Sequence, residues 1–225
     1  MFVDDLIGRV WEALSGADLL ESSIVVLVAD HGEELGLHNN YYYHACSTYE
    51  PVLRVPLIIR FPGRELAGSR IAQIVENLDL TPTLLDLLGF DVELDFEGRT
   101  LLPLLRPEPE GVEAFDHALA EYYRHGVGWI RSIRTDRWRY IYNPEEIVPV
   151  CRPEGGYFRM AEEELYDHSS DPLELNNLAD EFPEVAAELR ARLLASMGAD
   201  PNQPAPIRAE PEVIEQLKEL GYLGD

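Results

Sequence analysis

Ile24-Val-Val-Leu-Val-Ala-Asp30-His31-Gly32 is the stretch on which the fold turns. Residues 24–29 form an unbroken apolar run, mostly β-branched and too short for a typical helix. Such a run predicts a strand covered on both faces, as in a parallel sheet. It delivers Asp30 and His31 to the carboxyl edge of that strand, where ligand-binding and catalytic groups of open α/β sheets gather. A carboxylate beside an imidazole can ligate a hard or borderline divalent cation. Taken alone, the pair fits equally well an Asp30 that caps a turn and a His31 that is an ordinary loop residue. The loop that follows adds His38 and His44, so three of the six histidines fall within fourteen residues. A polar, aromatic-rich loop spanning 32–50 is uncommon unless it has a function.

Working outward, Phe2, Val3, Leu6, Ile7, Val10, Trp11 and Leu14 have the spacing of an amphipathic helix, which Gly16 stops. On the other side, Val55–Phe61 reads as a second strand closed by Pro62-Gly63. A helix is expected from Thr81 as N-cap and Pro82 at its first position to Gly89. Helix, strand, loop, strand and helix make an α/β layer. Beyond Pro103 the texture changes. Arg106-Pro-Glu-Pro-Glu-Gly111 reads as a linker, and Trp129–Thr135 with Trp138–Tyr142 reads as a hairpin turning at Asp136-Arg137. Glu164–Asp167 reads as a third strand, and Glu184–Met197 as a helix with Val185, Leu189, Leu193 and Met197 on one stripe. Arginines alternate with apolar residues between Arg131 and Arg139, which predicts an exposed strand face. A Pro-rich stretch, Asp200–Pro211, leads to a last amphipathic helix at Val213, Ile214, Leu217 and Leu220. The expected division is an α/β unit over 1–105, a smaller α+β unit over 112–198, and a terminal segment over 199–225.

The 225 residues carry 42 Asp plus Glu against 18 Lys plus Arg, a formal charge of −24. That surface repels phosphate backbones and anionic lipid, which argues against nucleic-acid binding and electrostatic membrane docking. No apolar run approaches the roughly 20 residues of a membrane span. A signal peptide is not expected behind Asp4 and Asp5, and the localisation is left open. Cys46 and Cys151 are too few for a disulfide framework or a four-cysteine zinc site. A protein this acidic that binds an anionic substrate needs a local positive device, for which a bound metal cation serves.

Six motifs in order resemble the second half of the sulfatase family in the alkaline phosphatase superfamily. They are Val28-Ala-Asp-His-Gly-Glu-Glu-Leu-Gly-Leu-His38 with Tyr49-Glu50, then Arg54-Val-Pro-Leu-Ile-Ile-Arg-Phe-Pro-Gly63 and Leu78-Asp-Leu-Thr-Pro-Thr-Leu-Leu-Asp-Leu-Leu-Gly89. Gly98-Arg-Thr-Leu-Leu-Pro-Leu-Leu105, Ile133-Arg-Thr-Asp-Arg-Trp-Arg-Tyr-Ile141 and Glu164-Leu-Tyr-Asp-His-Ser-Ser-Asp-Pro-Leu-Glu-Leu-Asn-Asn-Leu178 follow. The ending Gln216–Leu223 is similar as well. The resemblance implies an alkaline-phosphatase-like α/β sandwich with a small α+β subdomain carrying an antiparallel sheet. It also implies metal-assisted hydrolysis of a sulfuric ester.

By the resemblance, Asp30 and His31 hold the divalent cation. That cation is calcium in a sulfatase, with manganese or zinc taking its place in a phosphoesterase relative. His44 occupies the place of a lysine or histidine that contacts ester oxygens, and His38 falls in a Gly-x-His turn with a supporting or structural role. The implied partner is an anionic sulfate-ester or phosphate-ester small molecule or glycan.

The family nucleophile, made from Cys or Ser in a Cys/Ser-x-Pro-x-Arg motif, lies far upstream of the Asp-His pair with two further metal aspartates. Ser15, Ser22 and Ser23 lack that context, and Cys151-Arg-Pro-Glu-Gly155 ends in Gly where the arginine is needed. Asp4 and Asp5 read as solvated helix charges, and His117, His125 and His168 as surface or packing residues. The expectation is therefore the carboxyl-terminal portion of a sulfatase with an incomplete active site, partnered by the missing amino-terminal half or by self-association. A phosphodiester or phosphonate hydrolase or phosphoglycerol transferase of the same superfamily is the alternative enzyme. A non-catalytic partner-binding domain is the alternative of another class.

Overall fold

The computed structural model describes residues 2–38, 42, 44, 47–92, 94–105, 115–124, 128–144 and 160–197. Cys46, Cys151, His125, the stretch from Arg106 to Gly111 and the terminal segment from Asp200 lie outside the described residues.

The chain opens with helix α1, Phe2–Gly16, with Asp4 and Asp5 in its first turn, where the helix dipole favours acidic groups. Its apolar stripe faces outward: Phe2, Val3, Leu6, Ile7, Val10 and Trp11 are all exposed. Strand β1, Val25–Val28, pairs with β2, Leu57–Arg60, in the register Val25↔Arg60 to Val28↔Leu57. The pairing is antiparallel, which corrects the parallel expectation. A continuous apolar run says nothing of its neighbour's direction, and the coverage expected on both faces is also only partial: β1 is half-buried with Val28 exposed, and Ile58 of β2 is exposed as well. Here the connection turns back through the short helix α2, Glu50–Leu53, and brings β2 up against β1 head to tail. Gly32 lies so close to α2 that a Cβ there would sit 2.0 Å from the Pro51 carbonyl oxygen. The amides of Gly32 and Glu33 donate to the carbonyls of Val52 and Pro51 at 2.7 and 3.1 Å.

Helix α3 runs Leu80–Leu87, after a 3-10 turn at Asn77–Asp79. Asp79, not Thr81, precedes the helix and organises its start. Its fully buried carboxylate accepts from the amides of Glu76 at 2.9 Å and Arg99 at 2.7 Å. These bonds close the 3-10 turn and tie it to Arg99, while the Asp79 side chain makes no cap hydrogen bond to α3 itself. Thr83 serves further along, accepting from the Leu101 amide at 2.8 Å.

The second sheet has the order β3 (His117–Arg124), β4 (Gly128–Thr135), β5 (Trp138–Tyr142) and β6 (Glu163–Asp167), antiparallel throughout. The hairpin and third strand fall where the pattern placed them. Strand β3 was missed, because its alanines and central Glu121 dilute the β signal. One sheet face packs Trp129, Ile133, Tyr140, Tyr142 and Leu165 against Ala186, Leu189 and Leu193 of helix α4, Pro183–Ser196. The other face packs Ile130, Ile141 and Tyr166 against Tyr49 and Met160. With both faces covered, the arginine-bearing strands are not exposed as the alternation had predicted. Arg131 and Arg139 are buried, at 4% and 3% exposure. Charge is tolerated there because each guanidinium meets a carboxylate: Arg131 pairs with Glu121 and stacks on Trp129, and Arg139 pairs with Glu50 and Glu174. Among the described residues, no helix is long and apolar enough to cross a membrane.

Leu193 is fully buried in the larger core cluster, so Leu193→Ala is expected to cost about 2–5 kcal/mol in urea unfolding. Val10→Ala on the exposed stripe of α1 should change stability by no more than about 0.5 kcal/mol. Equal losses at the two positions would contradict this division between core and surface.

Candidate functional site

Asp30 and His31 follow the end of β1, and the Asn77 side chain fixes that end by donating to the carbonyls of Ala29 at 3.1 Å and Asp30 at 3.3 Å. The Asp30 carboxylate is solvent-exposed. It accepts from the His31 amide at 2.9 Å, and that bond, with the nearby His31 charge, holds its pKa below the usual carboxylate value. The His31 Nδ1 lies 2.9 Å from the Gly32 carbonyl oxygen. A carbonyl can only accept, so Nδ1 is the donor in this contact and Nε2 is the nitrogen left to face a ligand. Metal-binding histidines are held in this way.

His44 returns to the same edge from the loop. Its ring stacks on that of His31 at 4.0 Å between centroids and 26° between planes, and its Nδ1 lies 3.1 Å from a Glu33 carboxylate oxygen. Donor atoms of His31, Glu33 and His44 all lie within 4.8 Å of one another. Asp30 Oδ2 is 3.7 Å from His31 Nε2. This set of two imidazoles and two carboxylates suits a borderline or hard divalent cation. The structure thus gathers Asp30, His31 and His44 and adds Glu33, which the sequence reading passed over. Its signal was its place two residues beyond His31 on the same tight turn.

His38 lies elsewhere, buried at the base of the loop. Its Nε2 donates to the Glu174 carbonyl at 3.0 Å, its Nδ1 meets Glu34 Oε2 at 2.7 Å, and its ring stacks on Tyr49 at 3.9 Å. Both nitrogens face acceptors, an arrangement that only the protonated ring satisfies in full. Burial disfavours that charge, but the hydrogen bond and the charge of Glu34 outweigh it and raise the pKa. Ser47 Oγ donates to the other Glu34 oxygen at 2.7 Å, closing the base of the loop. Tyr49 and Tyr166 donate their hydroxyls to Glu164 Oε2 at 2.7 and 2.9 Å. Burial raises the pKa of Glu164 despite these donors.

A second cluster joins the loop to the small sheet. Arg139 Nη2 lies 2.6 Å from Glu50 Oε2, while Arg139 Nε and His168 Nε2 lie 2.6 and 2.7 Å from Glu174 Oε1. The donor atoms of Glu50, His168 and Glu174 are close enough to hold an ion. Arg139 already supplies positive charge at their centre, so the cluster reads as a balanced internal ion-pair network. His168 is therefore a buried partner in packing rather than a surface residue.

An α/β layer with carboxylate and imidazole donors at a strand edge, clasped by an antiparallel α+β unit, is the architecture of alkaline-phosphatase-like hydrolases. The comparisons make the class specific. Residues 34–198 match the family described as N-sulphoglucosamine sulphohydrolase, C-terminal, and the chain belongs to this sulfatase family. It is 32% identical over 199 residues to arylsulfatase K of Rattus norvegicus, with 84% of this chain and 32% of the relative covered. It is 34% identical over 183 residues to N-acetylglucosamine-6-O-sulfatase of Bacteroides thetaiotaomicron, with 78% of this chain and 30% of the relative covered. A solved structure in complex with its substrate D-glucosamine-2-N,6-O-disulfate is similar at a TM-score of 0.73 and 30% identity, over 90% of this chain and 40% of that one. The phosphonate monoester hydrolase of Agrobacterium radiobacter is similar at a TM-score of 0.67 and 25% identity, over 87% and 39%. The chain spans about a third of the length of the curated relatives it matches.

The pKa of His38 is raised above 6.5 in the folded protein. Its stabilising contribution is therefore complete below about pH 6.5 and is lost as pH rises through the folded-state value. Urea unfolding between pH 6 and 9 should show the gap between the wild type and His38→Gln narrowing as pH rises. A gap that widens or stays level would contradict the assignment.

Proposed function

We propose that the chain forms one wall of a sulfatase active site that hydrolyses a sulfuric ester with the help of a divalent cation. The observation that carries this reading is the convergence of Asp30, His31, Glu33 and His44 at the edge of β1. In this reading Asp30 and His31 bind the cation, calcium in a sulfatase. When bound, the cation polarises the ester and stabilises negative charge as it develops. Asp30 contributes full negative charge, since its pKa is held low. His31 contributes Nε2, with its tautomer set by the Gly32 carbonyl. Glu33 orients His44, whose imidazole offers a hydrogen bond to ester oxygens, a contact worth most where charge builds up in the transition state.

No Cys/Ser-x-Pro-x-Arg motif occurs within these 225 residues, so in this reading they supply the cation-binding wall of the site and not its nucleophile. A sulfated saccharide is the substrate class we favour. It is supported by the relatives named for N-acetylglucosamine-6-O-sulfate and solved with a glucosamine disulfate. Likeness to a phosphonate monoester hydrolase supports a second reading, a phosphorus ester with manganese or zinc in the same site. The outward apolar stripe of α1 supports a third role, docking against the rest of the catalytic domain or a second copy.

Calorimetric titration of the chain with Ca2+ and Mn2+ tests the site. We expect weak binding that falls by about tenfold or more in Asp30→Asn and in His31→Ala. Turnover of an aryl sulfate by this chain should stay near background. Vigorous turnover that Asp30→Asn abolishes would place the nucleophile within these residues and overturn that part of the reading.

A further inference from the structure

The geometry points to Glu174 as a positioning residue that holds the His44-bearing loop on the small sheet and so sets the place of His44 against His31 and Glu33. Glu174 is 1% exposed and adopts a left-handed backbone, φ +57°, that non-glycine residues seldom take. It touches both ends of the loop. Its carbonyl accepts from His38 Nε2 at 3.0 Å, on the outgoing side. Its Oε2 accepts from the Glu50 amide at 2.6 Å, on the returning side. Between these anchors the Glu34–Ser47 hydrogen bond closes the loop, and His44 lies inside the closure.

The backbone conformation explains how one residue reaches both anchors. A left-handed turn presents carbonyl and side chain to the same neighbour, and the Asp171 carboxylate supports that turn by accepting from the amides of Leu175 and Asn176 at 2.8 Å each. The opposite side of the Glu174 carboxylate is held by His168 at 2.7 Å and Arg139 at 2.6 Å. Burial works against the ionised form, yet these cations and the Glu50 amide keep its pKa below the usual value, so it stays a strong acceptor. Freed from Glu174, the loop would keep its covalent ends but lose the fixed span that brings His44 onto His31 and holds the Gly32 and Glu33 amides on α2.

Hydrogen exchange and metal titration of the whole chain, wild type against Glu174→Gln, test this. The metal arm rests on the cation site proposed above; the exchange arm does not. We expect the amides of Gly32 and Glu33, which Glu174 does not touch, to lose protection by about tenfold while β4 and β5 keep theirs. Mn2+ affinity should fall by about tenfold, the scale for residues that orient ligands without binding the ion. Unchanged loop protection, or equal loss in loop and sheet, would overturn the inference, as would loss of loop protection with unaltered Mn2+ affinity. If the wild type binds no Mn2+, the cation site falls and the exchange comparison alone decides the role of Glu174. Glu174→Asp guards against a variant that does not fold. It keeps the charge and tolerates the left-handed backbone, but it is one methylene too short for the Glu50 amide, and the same pattern is expected in weaker form.

Discussion

A buried guanidinium between two carboxylates ties this protein together. Arg139, on β5, lies between Glu50 at the start of α2 and Glu174 beyond β6. Each charge is largely hidden from water, so each depends on its partners for compensation. The three charges together dock the start of α2 on the sheet of β3–β6.

That docking governs the candidate site. The described residues of the stretch from Glu33 to Glu50 are held mainly by what they touch. Tyr49 packs into the sheet through Ile130, Ile141, Met160 and Tyr166, and donates its hydroxyl to Glu164. His38 stacks on that tyrosine and pairs with Glu34. The edge of one sheet that carries His31, Glu33 and His44 is thus positioned by the polar face of another, linked by a layer of aromatic rings and buried carboxylates. Within that layer Glu34, His38, Glu164 and Glu174 are each held by more than one hydrogen bond, which fixes their positions.

Much of this was legible in the residues. The β1 run and the hairpin at Asp136-Arg137 announced themselves through periodicity, and the grouping of His31, His38 and His44 marked the loop. What misled was information that lives outside any local window. Alternating arginines on β4 and β5 look solvent-facing because the carboxylates that neutralise them, Glu50 and Glu174, are far away in sequence. The direction of β2 depended on a tight turn at Gly32 packing on Pro51, a contact between chain segments nearly twenty residues apart. Strand β3 needed its partner to be seen, since Ala118, Ala120 and Glu121 carry weak β preference of their own. Glu33 was passed over because its role rests on His44 folding back to meet it.

Charge distribution gives the edge cluster its final constraint. Among the described residues, Arg54, Arg60, Arg99, Arg131, Arg134, Arg137, Arg139, Arg190 and Arg192 all lie within 4 Å of a carboxylate oxygen. These nine cations are thereby engaged in ion pairs. At the edge of β1, by contrast, the ion-pair partners of Asp30 and Glu33 among the described residues are His31 and His44. In a protein with a formal charge of −24, an anionic ester approaching this edge meets two carboxylates and no arginine paired to them. Under the proposed reading an anion bound there would take its positive charge from a cation, and the donor atoms of His31, Glu33 and His44 lie within 4.8 Å of one another, close enough to hold one.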